Sequence, residues 1–193
     1  GFMLRGLAET FKALNNKNIP AFLLQGLPPD ILPQWLERNN ASLLVTDFDP
    51  LRIKQEWKEQ LLARIDIPCH EVDAHNIVPC WVASSKLEYA AYTLRPKIRK
   101  LLPLFLEDIP QICPHPVAAR SIEPFPELEP LLSSLRISRQ VKEISWLTPG
   151  SLAAYQVLGS FIEDKLPYYD TFSNDPTRCM QSNLSPYLHF GQL

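Results

Sequence analysis

Three short polar residues, Ser182, Asn183 and Ser185, stand just ahead of an apolar and aromatic run, PYLHF at residues 186–190. Proline is tolerated in a first helical turn, whose N–H groups lack intrahelical partners, so Pro186 predicts that a helix opens here. A helix entrance offers free N–H groups and the positive end of the helix dipole, a suitable place for a phosphate. The same residues also describe an ordinary N-cap, in which a Ser or Asn oxygen accepts from the first amides. Spacing alone leaves both readings open.

Other chemistry-bearing residues are sparser. Asp47 and Asp49 flank Phe48 and are followed by Pro50 and Arg52. Two carboxylates could hold a metal or act as acid and base. Alternate residues of an extended segment point opposite ways, however, which favours an Asp-Pro turn with Arg52 tied to one carboxylate. Asp73 and His75 also follow a strand candidate, at the edge where open α/β sheets bind ligands. His75 is of the right type for proton transfer near neutral pH, but a hydrogen-bonded structural histidine is the preferred reading. Cys69, Cys80, Cys113 and Cys179 lack CxxC spacing, so neither a zinc site nor a disulfide framework is indicated. No Ser-His-Asp set, P-loop or GxGxxG motif is present, and 6 glycines are too few for a glycine-rich phosphate loop.

The whole string SNLSPYLHFGQ (residues 182–192) resembles the flavin-phosphate motif of the DNA photolyase and cryptochrome family, in its class II cyclobutane pyrimidine dimer form. FMLRGL (2–7), VTDFDPLR (45–52), VDAHNIVP (72–79) and KLEYAAYTLRPKI (86–98) resemble the same class, in the same order. The resemblance implies that Ser182, Asn183, Leu184 and Ser185 contact the phosphates of FAD. It also implies a role for Tyr169, thirteen residues before Ser182, as a further cofactor contact. The family pattern carries an arginine before Asn174-Asp175-Pro176, where this chain has Ser173.

For the parent protein, the resemblance implies light-driven repair of DNA containing cyclobutane pyrimidine dimers. Reduced FAD would pass an electron to a flipped-out dimer, with or without an antenna chromophore of unknown identity, so that no general base or nucleophile is required. Two alternatives stand beside it: a cryptochrome-like blue-light photoreceptor, and a stand-alone α/β module that binds a nucleotide or chromophore.

These residues need elements to position them. Met3, Leu7, Phe11 and Leu14 recur at helical spacing and predict an amphipathic helix over residues 2–14. A short apolar run comes next at 21–25, then a helix at 30–38, a strand at 42–46 with apolar residues on both faces, a helix at 56–65 and a strand at 69–72. Residues 83–95 predict a helix that Pro96 kinks or ends. From Pro103 to Pro130 the recurrent prolines predict an extended surface linker without regular structure. Pro149-Gly150-Ser151 then opens a helix over 152–165.

This rhythm predicts an α/β fold, then a linker and the start of a helical region; the resemblance implies that these are a Rossmann-like parallel-sheet antenna domain and the first helices of an all-α FAD-binding domain. The expected boundaries are 1–114, 115–149 and 150–193. A helix-first start implies a missing first strand and about three core strands. The motif at the end implies a flavin enclosure cut short, so that this chain alone neither holds FAD stoichiometrically nor repairs DNA.

Bulk properties narrow the classes further. The 193 residues hold 19 Lys plus Arg against 21 Asp plus Glu, which lacks the basic excess of a general nucleic-acid binder. The basic cluster Lys86, Arg95, Lys97, Arg99 and Lys100 reads as a solvated helix face. No apolar run approaches the roughly 20 residues of a membrane span, and the first residues show no signal-peptide pattern. The expectation is an intracellular monomer, cytoplasmic or nuclear.

Overall fold

A parallel pair of strands forms the sheet of the computed structural model, which describes residues 1–117 and 122–193. Strand β1 (Leu44–Asp47) runs beside β2 (Cys69–Val72), with Leu44 opposite Cys69 and Asp47 opposite Val72. The Leu44 amide donates to the Pro68 carbonyl and the Phe48 amide to the Val72 carbonyl, which extends the ladder at both ends. Parallel neighbours need a crossover, and helix α3 (Arg52–Leu62) supplies it. Helix α2 (Pro28–Arg38) packs on α3, and Leu36 and Leu61 bury their side chains there.

These elements belong to one compact unit, Leu24–Gln111; a second unit joins Gly1–Leu23 to Ile112–Leu193. The short apolar run at 21–25 forms no strand, and two of the about three expected core strands are present among the described residues. β1 is also more open than its apolar sequence suggested. Its residues alternate between half-buried and exposed, and Val45 faces solvent.

The helix expected over 83–95 is replaced by two. Helix α4 (Cys80–Ala83) ends early and helix α5 (Ala91–Phe105) begins late. A side-chain network holds the intervening segment: the Ser84 hydroxyl donates to Glu88, and Lys97 donates to both Ser84 and Glu88. Part of the basic cluster is thereby neutralised. Pro96 and Pro103 sit inside α5, each removing a single amide hydrogen bond while the rest of the helix continues.

In the second unit, helix α1 (Phe2–Asn15) packs with the C-terminal part of the chain. The Phe2 ring lies 5.5 Å from that of Tyr187, which is fully buried. Phe2 also lies 5.8 Å from the Phe190 ring, and Phe11 of the apolar stripe stands edge-on to Phe125 with centroids 5.0 Å apart. The expected structureless connector contains helix α6 (Leu128–Ser134), in which Pro130 is third and so lacks an amide that has no intrahelical partner anyway. The part of that connector at 118–121 lies outside the described residues.

The helix expected at 152–165 forms and continues. Helix α7 (Ser151–Ser160) runs into a π-turn (Phe161–Lys165) and then helix α8 (Leu166–Phe172). Helix α9 (Ser185–His189) carries the terminal motif. Leu147, Ala154, Leu184 and Tyr187 form the core of this unit, with Phe2, Val157 and Leu158 packed against it.

Candidate functional site

The start of α7 is set by residues far away in sequence. Gly150 has φ of 111°, a conformation that glycine adopts without steric cost. Its amide donates to the Gln192 side chain at 2.6 Å, and the Glu9 carboxylate accepts from the Ser151 amide at 2.7 Å. With α7 fixed, its side chains form one wall of a cavity of about 380 Å3. Gln156, Ser160, Phe161 and Lys165 face it from α7 and the π-turn, Trp146 and Thr148 from the preceding loop, and Ser182 and Asn183 from the terminal motif. Lys165 is the sole charged side chain among the described residues lining it.

The loop between α8 and α9 is held by its own hydrogen bonds. Asp175 accepts from the Thr177 hydroxyl and amide, and these bonds hold its carboxyl below the ordinary value against a smaller opposing effect of burial. Gln181 donates to the Ser173 carbonyl at 2.9 Å, and Lys165 donates to the Gln181 carbonyl at 3.0 Å. Arg178 stacks over the Phe172 ring, 4.2 Å from its centroid. Asn183 takes φ of 59°, in the left-handed region that asparagine tolerates better than most residues.

Of the residues singled out in the sequence, Ser182 and Asn183 meet on the cavity wall. Leu184 is buried in the core instead, and its amide donates to the Ser182 hydroxyl at 3.4 Å. Ser185 is exposed as the first residue of α9. Tyr169 stands edge-on to Phe161 with ring centroids 5.5 Å apart, one residue removed from the cavity surface. Helix α9 has five residues, so little macrodipole develops at its entrance; polar side chains and amides carry what the site offers. Tyr187 from the same motif serves the core, its hydroxyl donating to the Thr148 carbonyl at 2.6 Å. Burial pushes its phenol up from the ordinary value.

Sequence reasoning missed Lys165, Trp146 and Gln156. Lys165 lies four residues before Tyr169, a spacing that marks one face of a helix, but the π-turn that aims it has no sequence signature.

A second pocket, of about 310 Å3, opens in the α/β unit beyond the carboxyl end of β1. Thr46, Asp47, Asp49, Lys54, Trp57 and His75 line it, so the two carboxylates and the histidine do converge on one place. Asp49 accepts from the Leu51 amide at 2.9 Å, and among the described residues no ion pair ties it to Arg52 as the sequence suggested. Asp73, two residues before His75, is buried. Burial raises its carboxyl, but bonds from the Cys80 amide, the Asn76 side chain and neighbouring donors outweigh this and leave it lowered. Its two oxygens thus organise the turn that leads into α4. Among the described residues no group of His, Cys, Asp and Glu is disposed to hold a metal ion.

The family model for DNA photolyase matches residues 1–116, more than half of the chain. The chain belongs to the DNA photolyase family. Relatives extend the similarity over the terminal motif as well. A deoxyribodipyrimidine photo-lyase of Potorous tridactylus is 42% identical over 195 residues, covering 100% of this chain and 36% of the relative. One of Arabidopsis thaliana is 41% identical over 203 residues, covering 100% of this chain and 41% of its own. One of Methanothermobacter thermautotrophicus is 31% identical over 192 residues, covering 100% and 42%. The chain spans about two fifths of the length of these photolyases. A solved cryptochrome of Synechocystis sp. PCC6803 superposes with a TM-score of 0.64 at 18% identity, over 98% of this chain and 40% of that one, a likeness of fold. No described helix is long and apolar enough to cross a membrane.

Proposed function

We propose that this chain forms the antenna-domain portion and the first flavin-site wall of a light-dependent DNA repair enzyme that splits cyclobutane pyrimidine dimers. The observation that carries this reading is the identity of 31% to 42%, across 100% of this chain, with three deoxyribodipyrimidine photo-lyases. FAD is the proposed cofactor, with an antenna chromophore at the pocket beside β1, and the enzyme works as an intracellular monomer.

The donor set around the first cavity fits a dinucleotide. A hydroxyl at Ser182 and a carboxamide at Asn183 suit phosphate oxygens, while Trp146 and Phe161 offer aromatic faces that exclude water. Tyr169 adds a phenol beside Phe161. Bound and reduced, FAD supplies the photoexcited electron that opens the dimer's cyclobutane ring. The residues of this chain bind and orient; none is required to abstract or donate a proton.

The test uses a protein of the relatives' full length that carries these 193 residues. Reduced and illuminated with an oligonucleotide containing a cyclobutane thymine dimer, it should restore the intact thymines. Bound flavin with the dimers left whole would replace this reading with that of a light sensor.

A further inference from the structure

We propose that Lys165 is the charged contact for the diphosphate of a dinucleotide in the cavity beside Ser182, an assignment that rests on the flavin reading and adds a residue to it. The cavity wall contains no carboxylate among the described residues, whereas it contains one ammonium and several neutral hydrogen-bonding side chains, including Gln156, Ser160, Ser182 and Asn183. Lys165 is half-buried and has no ion-pair partner among the described residues. A partly desolvated cation without a counter-charge is stabilised by an anion placed against it. The second pocket is different, since Lys54 and Lys58 share it with Asp47 and Asp49.

Two further features aim the ammonium. Its Nζ donates to the Gln181 carbonyl at 3.0 Å, one residue before Ser182, and an ammonium carries more donors than this bond uses. The π-turn Phe161–Lys165 adds a residue to the turn and so rotates the next helical residues by about 100° relative to an uninterrupted α-helix. Glu163 and Asp164 in the same turn are exposed and do not line the cavity. The arrangement selects for a multiply charged anion flanked by an aromatic group, which is the chemistry of a dinucleotide's diphosphate and adjoining ring.

The 193-residue chain, with Lys165→Gln and Lys165→Arg, is titrated with inorganic pyrophosphate and with riboflavin, which has no phosphate, by calorimetry at low and raised salt. Expected is pyrophosphate binding that weakens with salt, falls about tenfold in Lys165→Gln, and returns in Lys165→Arg. Riboflavin should not distinguish the three. Undetectable binding to the wild type, equal binding to wild type and Lys165→Gln, or no rescue by arginine with an unchanged circular dichroism spectrum would each overturn the assignment. FAD content of the relatives' full-length form separates the two ideas. Pyrophosphate dependence on Lys165 without any bound FAD sinks the flavin reading and keeps the anion contact; full FAD retention in Lys165→Gln does the reverse.

Discussion

Glu9 and Ser151 are joined by a hydrogen bond of 2.7 Å from the Ser151 amide to the Glu9 carboxylate, across 142 residues of sequence. The same carboxylate accepts from the Leu152 amide at 3.4 Å, so a side chain of α1 caps the first turn of α7. Orphan amides at a helix start are satisfied from another helix, and the cavity wall depends on it. Glu9→Ala should destabilise the second unit by about 1 kcal/mol, within the range for lost caps, and lower the melting temperature by about 2–4 °C. Thermal unfolding followed by circular dichroism checks this; an unchanged midpoint would remove the cap from the account.

Gly150 stands between these partners with φ of 111°. A methyl group there would run into the Glu9 carboxylate as well as strain the backbone. Gly150→Ala should cost about 1–3 kcal/mol. Combined with Glu9→Ala, the two losses should sum to less than their separate values, because the smaller side chain at position 9 relieves the clash. Urea unfolding of the two single variants and the double variant checks this, and strictly additive losses would remove the clash from the account.

Tyr187→Phe removes one hydroxyl from the core and leaves the Thr148 carbonyl without that donor. The expected cost is about 1 kcal/mol in urea unfolding, with no change in slope. A neutral substitution would mean that the carbonyl finds another partner.

Glu88 illustrates the pH dependence. The Lys97 hydrogen bond is the largest influence, with Thr93 and Ser84 adding to it, and together they lower the carboxyl from 4.5 to about 2. The folded value is depressed, so the contribution is present above the unfolded value and is lost as pH falls through the folded one. Lys97→Met should move the carboxyl titration back toward its ordinary range, as read by carbon chemical shifts. A midpoint left near the wild-type value in that variant would assign the effect to Ser84 and Thr93.

Much of this was legible in the residues themselves. Strand 69–72 follows from its place in the alternation of helices and strands, the helix from 152 from its apolar periodicity, and the family from the terminal string. Effects set by distant partners escaped. The 42–46 run looked fully covered because apolar side chains do not announce which face lacks a neighbour. Pro130 looked like a breaker, yet in the third helical position it removes an amide that needed no partner. Ser182 and Asn183 were visible as polar residues before Pro186, while Lys165 depended on a π-turn that no pattern reports.

The partnership of Phe2 with Tyr187 has a consequence for biogenesis. During synthesis the segment 24–111 leaves the ribosome with its own partners already made, and is free to fold at once. Helix α1 emerges before that segment, but Phe11 meets Phe125 and Phe2 meets Tyr187 only after much more of the chain has been translated. Chaperone dependence should therefore concentrate on α1 rather than on the segment 24–111.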